Sequence, residues 1–131
     1  AGSDPAVLAE TTKIYKRALE LEPKNPYFYI KLGLIDRVLA GRDDQKDQRS
    51  NLLAEAKQYF QSALDQKSDF TTAYLNLGLT EEMLGNTDAA MDYLSKGMDV
   101  GGDPDQFALR QHVIEPDGVG NDRRQVDGLA V

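Results

Sequence analysis

Tyr29-Ile30-Lys31-Leu32-Gly33-Leu34 returns almost unchanged as Tyr74-Leu75-Asn76-Leu77-Gly78-Leu79, 45 residues further along the chain. A fixed-period echo of this kind marks an architecture of stacked units, and such architectures offer surfaces to partners more often than catalytic pockets. Behind each block lies a second pattern with steps of four and three, Ala56-Phe60-Ala63 after the first and Ala90-Leu94-Gly97 after the second. The same spacing occurs ahead of both, at Thr11-Tyr15-Ala18. Small residues at the two ends of a trio let helices approach closely, and the middle residue fills the space between them. Eleven residues after each trio the next unit opens, at Tyr29, Tyr74 or Ala108.

Periodicity outside these blocks is helical throughout. Asp4-Pro5 reads as a helix start, because Asp accepts from free backbone N–H groups and Pro at the first position sacrifices none. Val7, Leu8, Ile14, Tyr15, Ala18 and Leu21 follow at helical spacing until Pro23 and Pro26 intervene. Pro26 opens a second helix through Phe28, Tyr29, Leu32, Ile35, Val38 and Leu39, which Gly41 stops. A polar segment, 41–50, precedes a third helical run from Leu52 to Leu64. The fourth helix spans about 70–84 and closes at Gly85-Asn86. Thr87 is the expected cap of the fifth, which runs to about Val100. Asp103-Pro104-Asp105-Gln106 combines a capping Asp with Pro at the first position, so a sixth helix is expected to run through Phe107, Leu109 and Val113. Glu115-Pro116 ends it, and 116–131 lacks sustained periodicity and reads as a flexible tail.

The two blocks and three trios resemble the tetratricopeptide repeat, a 34-residue helix–turn–helix unit with the pattern W-x2-L-G-x2-Y…A-x3-F…P. Tyr29, Leu32, Gly33, Ala56 and Phe60 match it in one unit, and Tyr74, Leu77, Gly78 and Ala90 in the next. The fold this implies is all-α: a helical-hairpin repeat solenoid, a right-handed superhelix of antiparallel helix pairs with about six helices. It divides the chain into a half repeat at 5–22, a full repeat at 26–67, a full repeat at 70–100, a capping helix at 104–115 and the tail. Departures are plain. The tryptophan position holds Tyr or Ala, the later Tyr position holds Asp36 or Glu81, and Leu94 and Gly97 predict looser packing in the last pair. Ala18 to Ala63 spans 45 positions whereas Ala63 to Gly97 spans 34, and the excess of 11 lies between Gly33 and Ala56. Eleven residues are about three helical turns at roughly 3.6 residues each. The spacing therefore favours a third helix extended backwards through Gln45–Ser50, capped by Asp43 or Asp44, over a solvated loop.

Composition narrows the function. Of 131 residues, 22 are acidic and 15 basic, and the net charge of −7 opposes non-specific nucleic-acid binding and docking on an anionic membrane. Cysteine is absent, which excludes disulfides and thiolate metal sites. No apolar run approaches the roughly 18 residues a membrane span needs. The first residues lack the pattern of a signal peptide, and the compartment stays open between cytoplasm and periplasm. His112 has no local nucleophile or orienting partner, and Asp43-Asp44-Asp47 lacks the Gly and terminal Glu of a calcium loop. No enzyme activity, cofactor or metal is expected.

What the resemblance implies instead is a groove. By position, the first helix of each pair lines it: Tyr27, Ile30, Lys31 and Leu34, then Thr72, Leu75, Asn76 and Leu79, then Gln106, Leu109, Arg110 and Val113. Ile30, Leu34, Leu75 and Leu79 are the apolar anchors expected for an amphipathic or extended peptide. Some relatives clamp a C-terminal carboxylate at such positions, but only Asn76 and Arg110 fit, while Ile30, Leu34 and Gln106 do not. The expected function is a non-catalytic scaffold holding a peptide segment or partner subunit. The alternatives are a regulatory or targeting module of a larger enzyme, such as a transferase or a membrane-bound glycan-processing protein, and a self-assembly module using helix faces or the tail. A first helix with no partner helix before it points to a piece of a longer protein, or to stacking on another copy.

Overall fold

The computed structural model describes residues 4–101. Among them are five α-helices and one 3-10 helix, with no strand: α1 (Pro5–Leu21), α2 (Pro26–Ala40), the 3-10 helix (Asp43–Gln48), α3 (Arg49–Gln66), α4 (Thr71–Met83) and α5 (Thr87–Asp99). The protein is all-α. The expected sixth helix and tail, and with them Gln106, Leu109, Arg110, His112 and Val113, lie outside the described residues.

Two of the starts follow directly from local chemistry. Asp4 accepts from the Ala6 N–H at 2.9 Å and Asn25 from the Tyr27 N–H at 3.0 Å, each just ahead of a proline at the first helical position. Other starts differ from expectation. Thr87 is the first residue of α5 rather than its cap, and Asn86 before it makes no side-chain cap. Instead the Asn86 amide donates to Glu81 Oε1 at 3.0 Å, a stronger demand because Glu81 is buried.

The insertion is neither a plain loop nor one continuous helix. Asp43 and Asp44 do not cap α3; they begin the 3-10 helix, whose backbone kinks at Gln45 (φ −114°, ψ 18°). The third helix then begins at Arg49, one turn earlier than its apolar run predicts. Arg49 Nε donates to the Ala40 carbonyl at 2.7 Å, satisfying one of the free acceptors at the C-terminus of α2. Arg42 and Asp44 pair at 3.1 Å, and this hydrogen bond lowers the Asp44 carboxyl below its ordinary range.

Helices α2 and α3 run antiparallel, with Arg49 beside Ala40 at one end and Phe60 beside Gly33 at the middle. The seam is glycine-dependent. A Cβ on Gly33 would sit 2.5 Å from Phe60 Cε1, inside any real carbon–carbon contact. Helices α4 and α5 repeat the arrangement, where a Cβ on Gly78 would meet Leu94 Cδ2 at 2.8 Å. Leu94 is fully buried, so the looser packing expected of this pair is not seen at its centre. Ile30, Ala56, Phe60, Ala63, Phe70, Ala73 and Leu77 join the two pairs in one buried cluster. The matching tyrosines serve matching turns: Tyr29 OH donates to the Pro23 carbonyl at 3.1 Å and Tyr74 OH to the Ser68 carbonyl at 3.2 Å.

Helix α1 leans on α2, with Leu8 buried and the Tyr15 and Phe28 rings 6.1 Å apart. Its other side is bare. Val7, Ile14 and Leu21, seven residues apart and so on one stripe, are 50%, 64% and 73% exposed.

Candidate functional site

Helices α2 and α4 lie side by side and together form the face on which the expected site residues fall. The Tyr27 and Phe70 rings meet edge-on, 5.1 Å between centroids, at one end. Further along, Arg37 Nη1 donates to the Asn76 carbonyl at 3.4 Å, and its guanidinium lies 5.9 Å from the Phe60 ring centroid. Arg37 thus spans from α2 to α4 while its charge rests against the aromatic seam residue.

The expected residues divide into two groups. Tyr27, Lys31 and Thr72 are exposed, and Leu34, Leu75 and Leu79 are half-buried, so part of each of these side chains meets solvent. Ile30 is a correction: at 4% exposure it belongs to the core cluster, and its side chain is committed to holding α2 against its neighbours. Asn76 is likewise buried, and its amide donates to the Thr72 carbonyl at 2.8 Å, one turn back on its own helix. The Thr80 hydroxyl donates to the Asn76 carbonyl at 2.7 Å. The Asn76 amide is therefore spent on its own helix rather than presented for a carboxylate clamp, while its backbone carbonyl takes the Arg37 bond from α2. Leu34 also packs against the core cluster with one side.

At the far end of the face is a depression of about 270 Å³ lined by Arg37, Leu79, Glu82 and Met83. Of these four, only Leu79 is among the residues the sequence points to. The signal for the others is present: carrying the three–four step one turn beyond Leu34 reaches Arg37 and Val38, and beyond Leu79 it reaches Glu82 and Met83. Val38 and Met83 are exposed apolar side chains, and at the depression Arg37 from α2 and Glu82 from α4 place opposite charges beside Leu79 and Met83. The arrangement is an apolar strip with a basic edge on α2 and an acidic group at the C-terminal end of α4. Such a strip suits the apolar side of an amphipathic segment with polar groups at its margin.

Among the described residues, no three His, Asp or Glu side chains gather to hold a metal ion, and no helix is long and apolar enough to cross a membrane. No protein-family model matches the chain, and a search of curated proteins returns no match.

Proposed function

We propose that this chain is a non-catalytic helical-repeat module that holds a peptide or partner helix across the α2–α4 face. The observation that carries the reading is convergence: Tyr27, Leu34, Val38, Leu75, Leu79 and Met83, drawn from two separate helices, are exposed or half-buried. A monomer has no internal use for such a strip, and a preformed one lowers the ordering cost of binding. The matched glycine seams and the matched tyrosine–turn bonds support the repeat reading, since both recur at the same 45-residue offset as the sequence echo. The test is a peptide-array screen with the intact chain, followed by the same screen on Leu79→Glu and Leu75→Glu. Both variants are expected to keep their helicity by circular dichroism and to bind selected peptides at least about tenfold more weakly. Retained affinity in both would overturn the assignment.

A second reading, self-assembly, is favoured by the bare stripe of Val7, Ile14 and Leu21 on α1. Light scattering of the wild type and of Ile14→Glu distinguishes it: a larger mass that collapses to the monomer in the variant supports assembly through α1.

A further inference from the structure

We propose that Asp36 is a proton-binding site that makes the stability of the α2–α3 pair depend on pH. Asp36 lies on α2 beside groups of α1 and α3 and is only 7% exposed, yet no N–H group or hydroxyl of the described residues donates to its Oδ2. Around it stand Glu55 and Tyr59 from α3, with Lys16 from α1 the one opposing charge identified. A buried carboxylate without donors is costly, and a second carboxyl beside it adds repulsion.

The position 45 residues later shows how the same problem is solved elsewhere in this molecule. Glu81 follows Gly78 by three, as Asp36 follows Gly33, and at 4% exposure it is as deeply buried. It is fully served: Lys57 Nζ lies 3.2 Å from Oε2 and Asn86 Nδ2 donates to Oε1 at 3.0 Å. Lys57 comes one residue after Ala56 in the α3 trio. The same place on α1 is Thr12, whose hydroxyl is turned back to the Leu8 carbonyl at 2.9 Å. Asn86 corresponds to Gly41, which has no side chain to donate. Glu55, one before Ala56, corresponds to Ala89, one before Ala90. Around Asp36, then, both donors are gone and a carboxyl has been added.

Two carboxyl groups can hydrogen-bond to each other only when one holds a proton. Burial first, then the hydrogen bond with Glu55 and its charge, push the Asp36 carboxyl up to about 8, with Lys16 pulling the other way. Tyr59 is also pushed above its ordinary range, by burial and by these two carboxyls, so it stays neutral while Asp36 titrates. In the unfolded chain the carboxyl returns toward its ordinary 3.8. Between those values only the folded state holds the proton, so the stability it contributes is full in acid and is lost as pH rises through about 8. The loss falls on the α2–α3 pair, which brings the two carboxyls together. This inference stands apart from the peptide-binding reading.

The experiment is an NMR titration of the Asp36 carboxyl carbon in the intact chain, together with hydrogen-exchange protection of α2, α3 and α5 amides. Asp36 is expected to titrate near 8 rather than in the ordinary acid range. Protection factors in α2 and α3, corrected for intrinsic rate, are expected to fall at least about tenfold relative to α5 between roughly pH 6 and pH 9.5, the equivalent of one pKa unit of coupling. Asp36→Asn removes that fall. Thr12→Lys, which supplies the ammonium that Lys57 gives to Glu81, restores an ordinary carboxylate titration and also removes it. Titration of wild-type Asp36 in the ordinary acid range, or an undiminished fall in Thr12→Lys, overturns the proposal even if Asp36→Asn does not fold.

Discussion

At the centre of the α2–α3 pair an aromatic ring closes on a glycine, and at the centre of the α4–α5 pair the branched end of a leucine does so. Both middle residues are fully buried, and so are the alanines beside them. Away from that seam the pairs diverge. The α4–α5 connection is a tight turn through Gly85, at φ +85°, whereas α2 and α3 are joined through a 3-10 helix. The buried carboxyl of the second pair is matched by Lys57 and Asn86, whereas that of the first leaves an oxygen without a donor. The contrast separates two kinds of constraint. Interior packing at native density tolerates little change, while a connection lengthened at the surface adds little loop-closure cost.

Removing the seam residues should break the comparison most severely. Phe60→Ala is expected to lower stability by about 3–5 kcal/mol and Leu94→Ala by about 2–5 kcal/mol, with Phe60 the larger, in urea unfolding. If Leu94→Ala costs more, the second pair rather than the first is the stronger half of the core. Adding a methyl group from the other side is the next test. Gly33→Ala drives a Cβ into the Phe60 ring and is expected to cost about 1–3 kcal/mol, reduced by up to about 1 kcal/mol of gained helix preference. Gly78→Ala meets Leu94 Cδ2 at 2.8 Å, Cγ at 2.9 Å and the Ala90 carbonyl at 3.3 Å, a slightly wider approach than the 2.5 Å at Gly33, and should cost slightly less. Equal costs would mean that the closer approach at Gly33 does not distinguish the seams.

The polar contrast is tested by Lys57→Met, which leaves the buried Glu81 carboxylate with Asn86 alone. A loss of about 1–3 kcal/mol is expected, against no more than about 0.5 kcal/mol for Thr12→Val at the matching place on α1. Smallest is the connection itself. Arg49→Ala removes the donor to the Ala40 carbonyl and is expected to cost about 1 kcal/mol. Arg42→Ala, in a pair whose Asp44 side is open to solvent, should cost no more than about 0.5 kcal/mol. A larger effect of Arg42 would make the 3-10 helix part of the cooperative core rather than an addition to it.

Much of this architecture is legible in local chemistry. Helix number and order through residue 101 follow from apolar spacing, prolines and the Gly85-Asn86 turn. Asp4 and Asn25 cap as their position before Pro5 and Pro26 requires. The trios mark the seam residues, because small-large-small at steps of four and three has few uses other than close helix contact. What spacing could not supply was the direction of each side chain relative to a third helix. Ile30 and Leu34 are one helical turn apart, yet Ile30 is buried where α2 meets two neighbours while Leu34 keeps one side in solvent. Asn76 resembles a ligand contact by position and turns out to bond its own helix.

The sequence by itself therefore determined an all-α chain, the pairing signals at Gly33 and Gly78, and the 11-residue excess between Gly33 and Ala56. These depend on residues within a turn or two of each other, where periodicity and backbone hydrogen bonding decide the outcome. Tertiary structure alone decided which residues of the α2–α4 face remain open, how the excess folds, and that Glu81 meets an ammonium and an amide while Asp36 faces a second carboxyl. Those outcomes depend on what other helices bring to a buried point, and burial, unlike helical spacing, is a property of several segments at once.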